Sequence, residues 1–109
     1  MIEASFHRKD GMLCGFSIQG HAGYAAYGRD IVCAAVSSAA QLTVNGVTEI
    51  LGLPAKVEVE ETTNRLTLTL PNKNSALTEG EHMLAALLLH LQLLEEDYKG
   101  KIHVTILEV

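Results

Sequence analysis

Twice along this chain the hydrophobic period changes from two to about 3.6, and each change follows a pair of alternating runs joined by a turn. A period of two alternates side chains across a strand, whereas 3.6 gathers them on one face of a helix. Ile2 to His7 and Met12 to Gln19 read as strands around Asp10-Gly11, a strong hairpin signal. A helix then runs from a cap at Asp30 to about Leu51, where Gly52 and Pro54 stop it. Its apolar positions are Val32, Val36, Ala39, Ala40, Val44, Val47 and Leu51. Lys56 to Glu61 and Arg65 to Leu70 form a second hairpin around Thr62-Thr63-Asn64, and Pro71 to Ser75 turn the chain again. Thr78 and Glu81 have the spacing of a capping box opening a second helix that ends near Tyr98, with Gly100 beyond it. Ile102 to Leu107 alternates as a last strand. The order ββαββαβ predicts an α+β two-layer sandwich with two helices packed on one face of a mainly antiparallel sheet.

The 109 residues build one domain, 1–109, because two cores cannot be made from so little chain. Aromatics are few and tryptophan is absent, so Leu, Val, Ile and Ala must fill the core, and the alanines require close helix approach. The second helix carries more apolar surface than one sheet face needs: Met83, Leu84, Leu87, Leu88, Leu91 and Leu94 make one stripe, with Leu89 and Leu93 outside it. That surplus predicts a homodimer packed through helices. A net charge of −5 and the lack of a Lys/Arg run argue against direct nucleic-acid binding through a broad basic surface. No leader pattern is expected at the N-terminus. No apolar run reaches the roughly 18–20 residues of a membrane span, the longest, Met83 to Leu94, being broken by His90 and Gln92. Cys14, in a strand with its side chain toward the core beside Phe16 and Ile18, and Cys33, at a helix start, fit a reducing, cytoplasmic setting.

The chemistry concentrates between Gly20 and Ala40. His21 lies between two glycines, a loop with Tyr24 and Tyr27 follows, and Cys33 falls in the first turn of the first helix. Free backbone N–H groups and the positive end of the helix dipole favour thiolate over thiol there. His21 could accept the thiol proton and return it to a leaving amine, and the same N–H groups are candidates for holding an oxyanion. Asp30 could cap the helix or orient His21, although its own charge opposes thiolate formation. Ser37, four residues after Cys33, shares its helix face. Gly20, Gly23 and Gly28 give the loop freedom to close, and the two tyrosines could clamp an apolar side chain.

Plainer readings stand beside this one. A cysteine in a helix is often inert core, and Ser37 and the tyrosines could simply pack. His7, His82, His90 and His103 read as surface or packing residues. A zinc site at His21 and Cys33 lacks further ligands at suitable spacing, so neither metal nor cofactor is expected. A redox pair of Cys33 with Cys14 requires the sulfurs to approach to bonding distance.

At these residues the chain resembles the bacterial ribosomal-processing cysteine proteases, the Prp family. That family's signature is a Gly-His-Ala, a short variable loop, Gly-x-Asp-Ile-Val-Cys-Ala and a serine. It stands here as Gly20-His21-Ala22, Gly28-Arg29-Asp30-Ile31-Val32-Cys33-Ala34 and Ser37, and the likeness in length and element order extends over essentially the whole chain. The resemblance implies a cysteine endopeptidase with Cys33 as nucleophile, His21 as base and Asp30 and Ser37 in support. It also implies a homodimer and a loop that moves on substrate binding. The implied substrate is large-subunit ribosomal protein twenty-seven, whose N-terminal extension is removed after an aromatic residue during ribosome maturation. An acidic enzyme suits a basic ribosomal substrate. The alternative from another class is a non-catalytic, ribosome-associated peptide-binding module.

Overall fold

The computed structural model describes residues 1–20, 31–72 and 77–109. Strands β1 (Ile2–Lys9) and β2 (Met12–Gln19) form the first hairpin, followed by helix α1 (Ile31–Asn45). Strands β3 (Lys56–Glu60) and β4 (Arg65–Thr69) form the second hairpin, followed by α2 (Leu77–Asp97) and β5 (Ile102–Glu108). The five strands make one sheet in the order β3-β4-β2-β1-β5, antiparallel throughout except for the parallel β1–β5 pair. The expected α+β order ββαββαβ is the one found.

Turn chemistry explains the first hairpin. Asp10 and Gly11 both hold positive φ, 52° and 81°, the pairing a two-residue turn needs to match strand twist. Cross-strand register then places Ile2, Ala4 and Phe6 beside Phe16 and Ile18, and these beside Leu66 and Leu68, on one face. The helices cover that face. Val32, Val36, Ala40, Val44 and Val47 from the first, and Leu84, Leu87 and Leu91 from the second, are buried against it. Close helix approach is real: a Cβ on Gly46 would lie 2.4 Å from Met83 Cε. The opposite sheet face is polar and tied by hydroxyls, with Ser17 Oγ and Thr67 Oγ1 3.2 Å apart and Thr105 Oγ1 donating to Ser5 Oγ at 3.3 Å.

Four sequence expectations need correction. The first helix does reach Leu51, but Gly46–Ile50 is a π turn and not a continuation of α-helix. Leu77, one residue ahead of Thr78, opens α2, so Thr78 is inside the helix and not at its cap. Glu81 instead uses Oε2 to accept the Leu13 backbone N–H at 3.1 Å, tying the helix start to β2. Cys14 is not a core residue. A bulge opposite His7 and Arg8 pairs Gly15 with His7 and Leu13 with Arg8, leaving Cys14 without a partner on β1. Leu13 takes the buried place, and Cys14 is half-buried. Lastly, α1 with its π turn, Ile31–Ile50, is by length and composition apolar enough to cross a membrane, which the search for uninterrupted runs missed. Its apolar stripe is occupied here in packing against the sheet and α2.

Candidate active site

Cys33 is the third of the described residues of α1 (Ile31–Asn45) and lies in its first described turn. Cys33 is half-buried and leans against the core, while Ser37, one turn further, is exposed. Both line a cleft of about 240 Å³ between α1 and the β2–β4–β3 end of the sheet. Gln41, another turn on, completes a polar line along the helix, with its Nε2 held 2.8 Å from Asn45 Oδ1. Ile18, Val36, Val59 and Leu66 make the apolar walls, and Val59 is 70% exposed at the open edge.

The far rim is built by the second hairpin. Arg65 donates from Nε (3.1 Å) and Nη2 (2.7 Å) to Gln19 Oε1, its cross-strand partner. Asn64, in the left-handed region at φ 52°, ends the turn and bonds Gly20. Gly20 itself holds φ +94°, and a Cβ there would stand 2.9 Å from the Met1 carbonyl oxygen, so both conformation and space call for glycine. Of the residues singled out from sequence, Gly20, Cys33 and Ser37 thus share one cleft. His21, Gly23, Tyr24, Tyr27, Gly28 and Asp30 lie outside the described residues.

Gln41, Val59, Asn64, Arg65 and Leu66 are cleft residues that the sequence reading did not single out. Gln41 was within reach, since it continues the Cys33–Ser37 spacing of four. The others arrive through the β2–β4 pairing, for which the sequence carries no local signal.

The second thiol occupies different ground. Cys14 lines a groove with Lys9, Leu13, Leu70 and Pro71 near the β1–β2 turn, and its Sγ donates to the His7 carbonyl at 3.4 Å. Burial pushes this thiol above its ordinary range, against the pull of the Lys9 charge and its own backbone hydrogen bond. Six residue steps along and just past β2 lead from Cys14 to Gly20 at the cleft, roughly 20 Å of extended chain. Neither cysteine is in a disulfide, and this placement removes the Cys14–Cys33 redox pair. Among the described residues no group of three His, Cys, Asp or Glu side chains could hold a metal.

A helix-start cysteine opening on a peptide-sized cleft in an α+β sandwich defines the class: a small thiol hydrolase. Comparison with known proteins gives the family. The family described as Cysteine protease Prp matches residues 1–103, and the chain belongs to it. A Bacillus subtilis relative, ribosomal processing cysteine protease Prp, is 28% identical over 108 residues, 96% of each chain. Among solved structures, the chain is similar to the essential ribosomal processing protease Prp of Staphylococcus aureus in complex with a covalently linked product peptide. That match has TM-score 0.88 and 25% identity, covering 98% of this chain and 100% of the other. It is also similar to SMU.848 from Streptococcus mutans, with TM-score 0.87 and 29% identity over 100% and 96% of the two chains. The chain is therefore a cysteine protease, and the reading as a non-catalytic binding module falls away.

Proposed function

We propose that this protease removes the N-terminal extension of large-subunit ribosomal protein twenty-seven in the cytoplasm, with Cys33 as nucleophile and His21 as its base. The observation that carries the reading is the position of Cys33 in the first turn of α1, facing a cleft whose rim includes Gly20, the residue joined to His21. His21 takes the Cys33 proton, and the thiolate attacks the scissile carbonyl carbon. The resulting oxyanion is held by backbone N–H groups of the helix start. Collapse of that intermediate breaks the C–N bond, and the imidazolium gives its proton to the leaving amine. Water, deprotonated by His21, then hydrolyses the thioester and restores the thiol. Ser37, exposed one turn along the same face, supports the substrate backbone, and Asp30 supports the pair. Tyr24, Tyr27 and the loop glycines close over the peptide, whose aromatic side chain suits the apolar walls formed by Ile18, Val36 and Leu66.

Direct nucleic-acid contact is not part of this reading, because the net charge of −5 suits a basic protein substrate and not a phosphate backbone. A homodimer is part of it. Leu42, Leu89 and Leu93 are 69%, 58% and 50% exposed on the two helices, and Leu42 lines a groove of about 450 Å³ with Ala35, Ala39, Met83 and Leu87. Sedimentation should give a dimer that Leu42→Glu with Leu89→Glu converts to monomer. The catalytic assignment is tested with a synthetic peptide spanning the extension and the mature N-terminus. One cut after an aromatic residue, seen by mass spectrometry and absent with Cys33→Ala, is expected; cleavage that persists in Cys33→Ala refutes it.

A further inference from the structure

Along α1 the cleft is lined by Cys33, Ser37 and Gln41, which follow one another at a constant spacing of four residues. Four residues of α-helix rise about 6 Å, and two residues of extended chain advance about 6.6 Å. An extended peptide laid along this face therefore meets one of the three side chains at every second residue. Its backbone N–H groups turn to the same edge with that same period of two. The opposite wall suits an extended occupant, because strands build it: Leu66 comes from β4 and Val59 from β3, the latter 70% exposed at the open side.

Gln41 differs from an ordinary exposed glutamine in that its carboxamide is already oriented. Nε2 donates to Asn45 Oδ1 at 2.8 Å, one further turn along the helix, and Oε1 is left as an acceptor. Part of the rotamer freedom of this long side chain is thus lost before any ligand arrives. We propose that Gln41 is a substrate-binding residue, with Oε1 accepting the backbone N–H of the fifth residue before the cut. Cys33 takes the carbonyl of the residue before the cut, Ser37 faces the third, and Gln41 the fifth, about 12 Å from Cys33 along the helix axis. The half of the peptide ahead of the cut takes this side because its last residue packs on Val36, which lies beyond Cys33 in the direction of Gln41. Reading main chain only, Gln41 sets how many residues must precede the cut and not which residues they are. The inference rests on the reading of Cys33 as nucleophile and of the apolar walls as the seat of the residue before the cut.

Three synthetic peptides test this. One spans the extension and the mature N-terminus, a second is the same peptide N-methylated at the fifth residue before the cut, and a third is shortened to four residues before the cut and acetylated. The last two lack the fifth N–H. Each is given to the wild-type enzyme, to Gln41→Met, which keeps the length and helix propensity of the side chain, and to Gln41→Glu, which keeps an acceptor. Gln41 is exposed, so neither substitution disturbs the core. Gln41→Met should raise KM for the full peptide about 3- to 10-fold, the scale of one neutral hydrogen bond. Its kcat should stay within about two-fold, as for an interaction made equally in the ground and transition states. On the two peptides without the fifth N–H, Gln41→Met and wild type should agree within about two-fold in KM, or in Ki against the full peptide where turnover is slow. Gln41→Glu should restore the preference for the full peptide. An unchanged KM in Gln41→Met, a loss confined to kcat, or a loss of equal size on all three peptides overturns the proposal while Cys33→Ala remains inactive. Cleavage of the full peptide by Cys33→Ala would instead sink the underlying catalytic reading, and this inference with it.

Discussion

Two thiols of similar burial sit near opposite ends of β2 in unlike surroundings. Cys14 lies at a bulge, points its proton at the His7 carbonyl, and is held toward the neutral form by partial burial. Cys33 lies in a helix's first turn and faces a cleft with Ser37 and Gly20. The proposed choice of Cys33 over Cys14 as nucleophile thus rests on surroundings and not on exposure. A carbonyl acceptor rewards the protonated thiol, and burial at the bulge adds to that preference. The bulge and the helix are thus two local backbone settings that give the two thiols different neighbours.

The sharpest way to break this comparison is to delete each sulfur in turn. Cys33→Ala should lower kcat/KM for the extension peptide by at least about 10⁴-fold, the scale seen when a protease loses its nucleophile. Cys14→Ala should leave kcat/KM within about two-fold, as expected of a site far from the reacting atoms. Equal losses in the two variants would void the distinction. A smaller effect is read from alkylation near neutral pH, followed by peptide mapping. Cys33 should be labelled at least about tenfold faster than Cys14, in line with the dependence of thiol reactivity on thiolate fraction. On unfolding the difference should vanish, and a preference for Cys33 that survives would show that local sequence, and not the fold, protects Cys14.

The smallest effect concerns stability. The Cys14 thiol holds its proton more tightly in the folded chain than in the unfolded one, because burial penalises its thiolate. Its contribution is therefore complete below the unfolded thiol's pKa of about 8.5 and is lost as pH rises through the higher folded value. Denaturant midpoints measured across that alkaline window should fall less steeply for Cys14→Ser than for the parent chain. Parallel curves would show that burial at the bulge does not reach the thiol.

Much of the fold could be read from residues, because period and turn chemistry act locally. Asp10-Gly11 names its own turn, and the stripe Leu84, Leu87, Leu91 is buried while Leu89 and Leu93 stay outside, as the spacing requires. The failures are instructive for the same reason. Alternation predicts an inward Cys14 only if β2 is regular, and the bulge that shifts it is a property of the pairing with β1. Glu81 has capping-box spacing, but a strand N–H competes for its carboxylate once the sheet is assembled. In the cleft, Cys33 and Ser37 were legible as helix neighbours, whereas Asn64 and Arg65 reach Gly20 and Gln19 from more than forty residues away.

The place of β5 in the sheet has a kinetic consequence. The last strand lies parallel to the first, so Ile2 meets Ile102 and Ser5 meets Thr105 across a separation of 100 residues. Until that contact forms, β1 presents a bare row of N–H and C=O groups on one side, a template for pairing with another molecule. Closing so long a loop adds little to the thermodynamic cost, which grows only with the logarithm of length, but contacts of such high sequence separation slow the search. Each hairpin can form from neighbouring residues, whereas the β1–β5 pairing spans the greatest sequence separation in the sheet and is expected to form late. A chain arrested before that pairing carries an open, association-prone edge.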